Sequence, residues 1–273
     1  MLSVTILTDN NTIIGRYFLG EPGLSLWIEC DGKKFLFDTG YSDVFIRNAA
    51  LMGIDLTRMD GLIYSHGHND HTWGTRSLVA LFERADISCR PLLVAHPLVF
   101  EDKVHRKQAI GTKMKAKDLD KYFRIVLSAG PRRLAPGLWW LGEIPELVTP
   151  RRAVGKIKDD GGERDDYCLD DSALVYAGPE GLVIITGCSH SGICNIVQRA
   201  REVTGERRIA DIVGGFHLLS CSPEELTAVA GYMKRMEVAR LHPCHCTDFA
   251  AKAALARELP VMECGVGLRF DYR

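Results

Sequence analysis

The chain has 273 residues, of which 46% are hydrophobic and 25% are charged, a composition typical of a globular protein. Its length is near the upper limit for a single hydrophobic core, so we expect one domain over residues 1–273. The net charge of −1 gives no support to nucleic acid or an anionic membrane as a partner. No run of about 18 apolar residues predicts a membrane span, and the N-terminus is typical of a strand rather than a signal peptide.

The nine cysteines are an odd number and are scattered along the chain. Without an export signal, this pattern predicts reduced thiols and a cytoplasmic location. Cys244 and Cys246 flank His245, but they lack a second cysteine pair at the spacing of a structural zinc site. We therefore expect them to be small buried residues at a strand end.

Hydrophobic runs and turn residues predict alternating strands and helices, with hairpins at Asp31-Gly32 and at residues 178–181. In chain order, the predicted strands are 1–9, 24–30, 34–38, 61–66, 91–95, 137–141, 172–176, 182–186, 209–213, 238–241 and 266–270. The predicted helices are 44–52, 74–84, 193–203, 223–237 and 249–258. Two segments lack such a pattern: we interpret the basic stretch 99–121 as an inserted lid or edge helix, and the glycine-rich stretch 151–166 as a mobile flap.

The most informative motif begins at the end of the predicted strand 61–66. Three histidines and one aspartate, His66, His68, Asp70 and His71, lie within six residues. Imidazole and carboxylate are the usual ligands of catalytic divalent ions, and a tight turn after a strand brings such side chains together. A surface loop with chance histidines is the alternative, but the chain holds only nine histidines in total.

Further polar residues follow other predicted strands, at Asp38, His190, His217 and His245. Strand ends of a parallel or mixed sheet can meet at one edge, where ligands and substrates commonly bind. The sequence therefore predicts one polar site assembled from several loops.

These motifs resemble the metallo-β-lactamase superfamily over essentially the whole chain. The resemblance rests on His66-x-His68-x-Asp70-His71 with His190 and His245 downstream, and on Asp38-Thr39-Gly40, which is similar to the superfamily's first motif. Finer motifs resemble the branch of 7,8-dihydropterin-6-yl-methyl-4-(β-D-ribofuranosyl)-aminobenzene-5′-phosphate synthases and related metal-dependent hydrolases. They are Gly23–Ser25, Ser65–His71, Gly187–Ile193, Gly214–Leu218 and His245–Thr247.

The resemblance implies a ligand set for two divalent ions. His66, His68 and His190 would hold one ion, and Asp70, His71 and His245 the other, with an open position at each. Asp70 would also orient the attacking water, as the catalytic carboxylate. Asp38 would lie behind the ligands and fix the loop.

Three further features of the pattern bear on the pocket. Where many superfamily hydrolases have a metal-bridging aspartate, this chain has Cys188, which we expect to be a buried thiol rather than a ligand. Trp73 and Asp248 stand where glycine is commoner and are expected to alter only the pocket rim. Residues expected to face substrate, or equally to act as turn and cap residues, are Asp9, Asn10, Asp170, Asp171 and His217; His96, His105 and His242 are expected to be structural or surface residues.

The expected fold is an α+β, αββα sandwich of two mixed sheets with helices outside. The expected function is metal-dependent hydrolysis of a small phosphate-containing molecule, with zinc as the first choice of ion and iron, manganese or magnesium as alternatives. A dihydropterinylmethyl transferase, with basic residues such as Arg106, Lys107, Arg151 or Arg152 on the phosphate, and a non-enzymatic sensor are the other functions considered. A homo-oligomer is left open.

Overall fold

The computed structural model describes residues 1–87 and 89–273. The strands are β1 (Leu2–Thr8), β2 (Ser25–Cys30), β3 (Lys33–Phe37), β4 (Gly61–Ile63), β5 (Leu92–Ala95), β6 (Asp102–His105), β7 (Gln108–Ala109), β8 (Arg124–Leu127), β9 (Arg132–Ala135), β10 (Leu138–Trp140), β11 (Lys156–Asp159), β12 (Gly162–Asp165), β13 (Ala173–Gly178), β14 (Gly181–Thr186), β15 (Ile209–Gly215), β16 (Leu241–Cys244) and β17 (Arg269–Tyr272). The α-helices are α1 (Val44–Leu51), α2 (Asn69–Thr72), α3 (Thr75–Arg84), α4 (Ala116–Leu119), α5 (Ile193–Thr204), α6 (Pro223–Arg235) and α7 (Phe249–Ala256). None of the described helices has the length and apolar character needed to cross a membrane.

Two large mixed sheets form the centre of the fold. One has the strand order β17-β1-β2-β3-β4-β5-β8, and the other has the order β16-β15-β14-β13-β10-β9. Residues of both sheets, such as Ile28 of β2 and Ile185 of β14, share one buried cluster, so the sheets pack face to face. Helices α1 and α3 cover the outer face of the first sheet, and α5, α6 and α7 cover that of the second. The predicted αββα sandwich is therefore confirmed.

Burial on both faces explains why the strands are almost continuously apolar. In β14, Val183 and Ile185 face the other sheet, while Leu182 and Ile184 face the helices. Successive side chains of a strand point to opposite faces, so a strand covered on both faces needs an apolar residue at every position. The same arrangement in β2 places Trp27 toward the helices.

The two segments without a clear pattern form neither a lid helix nor an irregular flap. Residues 99–121 contain β6, β7 and the short α4, and residues 151–166 contain the hairpin of β11 and β12. These four strands make a third sheet in the order β12-β11-β6-β7. Two late strands begin later than predicted. The strand predicted at 238–241 is β16 (Leu241–Cys244), and the strand predicted at 266–270 is β17 (Arg269–Tyr272).

Parallel pairing determines where the polar loops lie. Strands β3, β4, β5 and β8 run parallel to one another, and so do β14, β15 and β16. The loops after β4, β14, β15 and β16 carry the histidines singled out in the sequence. As expected for strands that end at one edge, these loops meet.

Candidate metal centre

The first cluster consists of His66, His68 and His190, here called the His66 group. All three imidazoles are buried, and one nitrogen from each lies within 4.8 Å of the others. His68 Nδ1 is 3.1 Å from His190 Nε2, and His66 Nε2 is buried without a hydrogen-bond partner in the described part of the chain. An unpartnered buried ring nitrogen is costly unless something binds it, and a divalent ion would do so.

Burial also fixes the protonation of the His66 group. It lowers the pKa of His66 and His190 well below the usual value, and it lowers the pKa of His68 to about 3. The three rings are therefore neutral near pH 7. Neutral imidazole is the form that binds a metal ion.

The second cluster consists of Asp70, His71 and His245 together with Cys188, here called the His71 group. His71 Nε2 is 3.1 Å from His245 Nε2, and Asp70 Oδ2 is 3.3 Å from the latter atom. Although burial lowers the pKa of His245, the hydrogen bond to Asp70 and the charges of Cys246, Asp70 and Asp9 together outweigh it and raise the pKa to about 9. The close approach of these side chains lets the two histidines and the carboxylate act as three ligands of one ion, whose binding would displace the proton from His245.

Asp38 lies behind both groups and touches Ser65 and His71. Its carboxylate accepts hydrogen bonds from Ser65 N–H (2.7 Å) and Ser65 Oγ (2.6 Å), and its Oδ2 is 2.7 Å from His71 Nδ1. With a proton on Nδ1, the lone pair of His71 Nε2 points to the other members of the His71 group. A carboxylate in this place sets both the tautomer and the ring orientation of a ligating histidine.

Cys188 and His217 lie between and beside the two groups. Cys188 Sγ is 3.2 Å from His71 Nε2, and Cys188 also forms a compact set with His190 and His217. Burial raises the pKa of the Cys188 thiol well above its usual value. The thiol is buried, as expected. The His217 ring packs against the His190 ring, with 4.2 Å between centroids and 57° between the ring planes.

Three aspartates that the sequence assigned to the pocket or to turns hold the backbone of the ligand loops instead. Asp9 accepts a hydrogen bond from His245 N–H (2.8 Å), Asp170 from Gly67 N–H (2.7 Å), and Asp171 from Ser191 N–H (2.9 Å). Asn10 donates to the His245 carbonyl oxygen at 2.9 Å. These residues therefore hold the backbone of the loops that carry the clustered histidines.

Comparison with known proteins agrees with this geometry. The metallo-β-lactamase superfamily profile matches residues 19–163. The chain belongs to this superfamily. A 7,8-dihydropterin-6-methyl-4-(β-D-ribofuranosyl)-aminobenzene-5′-phosphate synthase of Methanocaldococcus jannaschii is 30% identical over 257 residues, which cover 88% of this chain and 86% of that protein. An uncharacterised protein of the same organism is 29% identical and covers 93% of this chain and 94% of its own length.

A solved structure shares the superfamily fold over the full length. Tm1679, described as a metal-dependent hydrolase of the β-lactamase superfamily, has a TM-score of 0.86 and 30% identity, and covers 100% of this chain and 99% of its own. The expected membership and fold class are thus confirmed. Superfamily membership also agrees with the presence of two clusters suited to divalent ions.

A cavity of about 560 Å³ adjoins this superfamily site. His190 and His217 line it on the side of the ligand loops, and Phe216, Leu218, Val229 and other apolar residues form much of its wall. Its polar lining includes Thr149, Arg152, Glu225, Tyr232 and Arg235. Its size is in the range that encloses a small molecule.

Of the basic residues that the sequence analysis considered for a phosphate group, Arg152 lines this cavity, whereas Arg106, Lys107 and Arg151 do not. Lys103 is buried in ion pairs, and Arg151 donates hydrogen bonds to backbone carbonyls such as that of Cys168. Trp73 donates to the Gly111 carbonyl, and the Lys113 ammonium covers its ring at 3.3 Å from the centroid. The side chains of Lys103, Arg151 and Trp73 are therefore all engaged by contacts within the chain.

The remaining histidines lie away from both groups. His242 is hydrogen-bonded to Asp211 (2.8 Å), and His96 accepts a hydrogen bond from Leu98 N–H at the start of a short 3₁₀ turn. His105 is exposed at the end of β6. Asp248, expected at the rim, accepts a hydrogen bond from Ala251 N–H as the N-cap of α7.

Proposed function

We propose that this protein is a metal-dependent hydrolase that acts on a phosphate-containing small molecule through two divalent ions. The observation that carries the proposal is the pair of side-chain groups, each with at least three possible ligands, beside a cavity large enough for a small molecule. Three protein ligands with an open position are the mark of a catalytic rather than a structural site. Zinc suits the imidazole-rich donor set best, while iron, manganese and magnesium are alternatives.

The residues divide between the two ions. His66, His68 and His190 would hold one ion, and Asp70, His71 and His245 the other. Ions bound there would activate a water molecule as nucleophile and stabilise negative charge on a phosphoryl oxygen.

The chain itself supplies orientation and proton handling. Asp70 is the one carboxylate of the two groups, and its side chain is 22% exposed while Oδ2 contacts His245. It can therefore accept a hydrogen bond from the attacking water and hold it in line with phosphorus. In the hydrolysis, the water oxygen forms a bond to phosphorus, the bond to the leaving oxygen breaks, and the water proton ends on the leaving group or in solvent.

The cavity indicates how substrate would be held. Its apolar wall suits a ring, and the cationic side chains Arg152 and Arg235 suit an anion. Arg152 already forms an ion pair with Glu225, whereas Arg235 has no salt-bridge partner in the described residues and lies 5.8 Å from the Tyr232 ring centroid. We therefore propose Arg235 as the residue that contacts the phosphate group.

A transferase of the dihydropterinylmethyl type is the alternative. The name of the Methanocaldococcus jannaschii relative favours it, and the cavity would accommodate a fused ring. In that reaction the leaving group is diphosphate, so the same cations would assist its departure.

The nine cysteines, all free thiols, fit the proposed cytoplasmic location.

The test begins with metal analysis of the purified protein, for which we expect two divalent ions per chain. A panel of substrates follows: p-nitrophenyl phosphate, bis(p-nitrophenyl) phosphate, a chromogenic β-lactam, an acyl thioester, and the pterin diphosphate with its aminobenzene riboside phosphate acceptor. Phosphoester cleavage supports the hydrolase, and product formation only with both pterin partners supports the transferase. Activity confined to the β-lactam or the thioester would contradict both proposals.

The variant His68→Ala should lose bound metal and activity and keep the fold, because it removes one of three ligands of the His66 group. The matched control is His105→Ala, which removes an exposed histidine outside the site. Full activity in His68→Ala would show that the proposed mechanism is wrong.

A further inference from the structure

A lysine is completely enclosed behind the metal centre. Lys103 is 1% exposed, and its Nζ lies 2.6 Å from Asp170 Oδ1 and 3.0 Å from Asp166 Oδ2. Removing three charged groups from water is expensive, and their mutual attraction only partly compensates. Lysine is rarely buried for this reason, so a specific role of the cluster is worth seeking.

The cluster touches the ligand loop at Gly67. While Asp170 Oδ1 pairs with Lys103, its Oδ2 accepts the hydrogen bond from Gly67 N–H at 2.7 Å. A Cβ at residue 67 would collide with the carbonyl oxygen of Val99, so only glycine fits between that backbone and Asp170. The backbone between the ligands His66 and His68 is therefore held on both sides.

The cluster also faces the ring of His68. His68 Nδ1 points toward the His66 group, at 3.1 Å from His190 Nε2. The opposite nitrogen, Nε2, lies 4.0 Å from Asp166 Oδ2 and 3.9 Å from Cys168 Sγ. A histidine that binds an ion through Nδ1 carries its proton on Nε2, and Asp166 is the carboxylate that this proton faces.

We propose that Asp166, fixed by Lys103, is a positioning residue that orients His68 toward the ion of the His66 group. Asp170 acts with it by holding the backbone at Gly67. Carboxylates behind ligating histidines set the ring orientation and the tautomer, and their loss typically weakens metal binding by about 10–100-fold. This inference rests on the metal site proposed above and adds to it residues of the inserted third sheet and of the loop that follows it.

A separate ion site on the same residues is the competing interpretation. His68, Asp166 and Cys168 present ligand atoms within 4.8 Å of one another. However, the Lys103 ammonium lies 3.0 Å from Asp166 Oδ2, and a divalent ion beside it would meet strong charge repulsion. Positioning of His68 is therefore the role that the geometry favours.

The test measures metal affinity separately at each group. The His245→Ala background leaves the His66 group intact, and the His66→Ala background leaves the His71 group intact. In each background, Asp166→Asn is compared with Asp165→Asn, whose exposed side chain contacts Lys156 at 3.9 Å. Affinity is measured by competition with a chromophoric chelator, and the ligand field is monitored by the absorption of the cobalt-loaded protein.

We expect Asp166→Asn to weaken binding at the His66 group by about 10–100-fold and to change its cobalt spectrum. Binding at the His71 group should change less than about threefold, and Asp165→Asn should leave both groups unchanged. Asp166→Glu, which keeps the charge, should recover part of the affinity.

Equal weakening at both groups would show a general structural role and overturn the proposal, as would unchanged affinity at the His66 group. If Asp166→Asn does not fold, Asp166→Glu decides by the same criterion, because its carboxylate is displaced by one methylene. If the unmodified protein binds no divalent ion, the metal site itself is refuted, and that result is distinct from a failure of the positioning role.

Discussion

Replacing Asp38 by asparagine should disable the His71 group without removing any of its ligands. Asp38 is completely buried, and one of its oxygens serves Ser65 N–H while the other serves Ser65 Oγ and His71 Nδ1. Asparagine has a single acceptor oxygen and an NH₂ group in place of the other. If the NH₂ faces His71, it donates to Nδ1, and the imidazole proton moves to Nε2, where it blocks metal binding.

The magnitude follows from the hydrogen bonds that change. A hydrogen bond to a charged group contributes about 1.5–3 kcal/mol, and Asp38→Asn loses or weakens two of them. We expect a loss of about 3 kcal/mol in the free energy of unfolding, which lowers Tm by about 5 °C in a chain of this length. Metal affinity at the His71 group should fall by about 10–100-fold, or about 1.4–2.8 kcal/mol.

The assays are thermal unfolding of the metal-free protein and chelator competition for the metal-loaded protein. Asp43→Asn is the matched control, because Asp43 is exposed and its side chain makes no capping hydrogen bond to α1. Wild-type affinity at the His71 group in Asp38→Asn would refute the argument that Asp38 sets the His71 tautomer. A lower Tm with unchanged metal affinity would show that Asp38 has only a structural role.

Three further predictions concern Cys188, Arg235 and the ions. If Cys188 is a buried thiol, Cys188→Ser should retain both ions and change activity only modestly. A loss of about half the bound metal would show that Cys188 is a ligand. A thiolate-to-cobalt charge-transfer band that the cobalt-loaded parent protein has and this variant lacks would show the same. Arg235→Gln should raise KM for a phosphorylated substrate by about 10-fold or more with little change in kcat, and an unchanged KM would place the phosphate elsewhere. At a free metal concentration about 1,000-fold above Kd, each bound ion stabilises the folded protein by about 4 kcal/mol, so removing the ions with a chelator should lower Tm by about 7 °C per site. A Tm that is independent of added metal would contradict the metal site.

The sequence predicted the sandwich well because its strands and helices carry strong patterns. It failed for the third sheet, and the reason is visible in the strands themselves. In β11 only Ile157 is buried, and every residue of β12 is exposed. A hairpin with so little burial shows no alternation of apolar and polar residues, so its charged residues and glycines were predicted to form a loop.

The site could be predicted in part, for a similar reason. The histidine motif is local, so its residues could be recognised as potential ligands from spacing alone. The supporting carboxylates depend on contacts between distant parts of the chain. Asp9 contacts the backbone of His245 across 236 residues, and Lys103 pairs with Asp170 across 67. Nothing near Lys103 in the sequence distinguishes it from the exposed lysines that follow it.

These distant carboxylates also determine the electrostatics of the site. Asp9, Asp38, Asp170 and Asp171 are each buried, and each accepts a hydrogen bond from the backbone of a ligand or of a residue next to one. Such acceptors hold the loops rigidly, but together with Asp70 and Asp166 they also concentrate negative charge in a region of low dielectric. Lys103 balances only part of this charge. The histidines of the His66 group are neutral and add no positive charge, so two divalent cations at the proposed site would balance more of it. The carboxylates that hold the loops of the proposed ligands would thus also favour the binding of cations at this site.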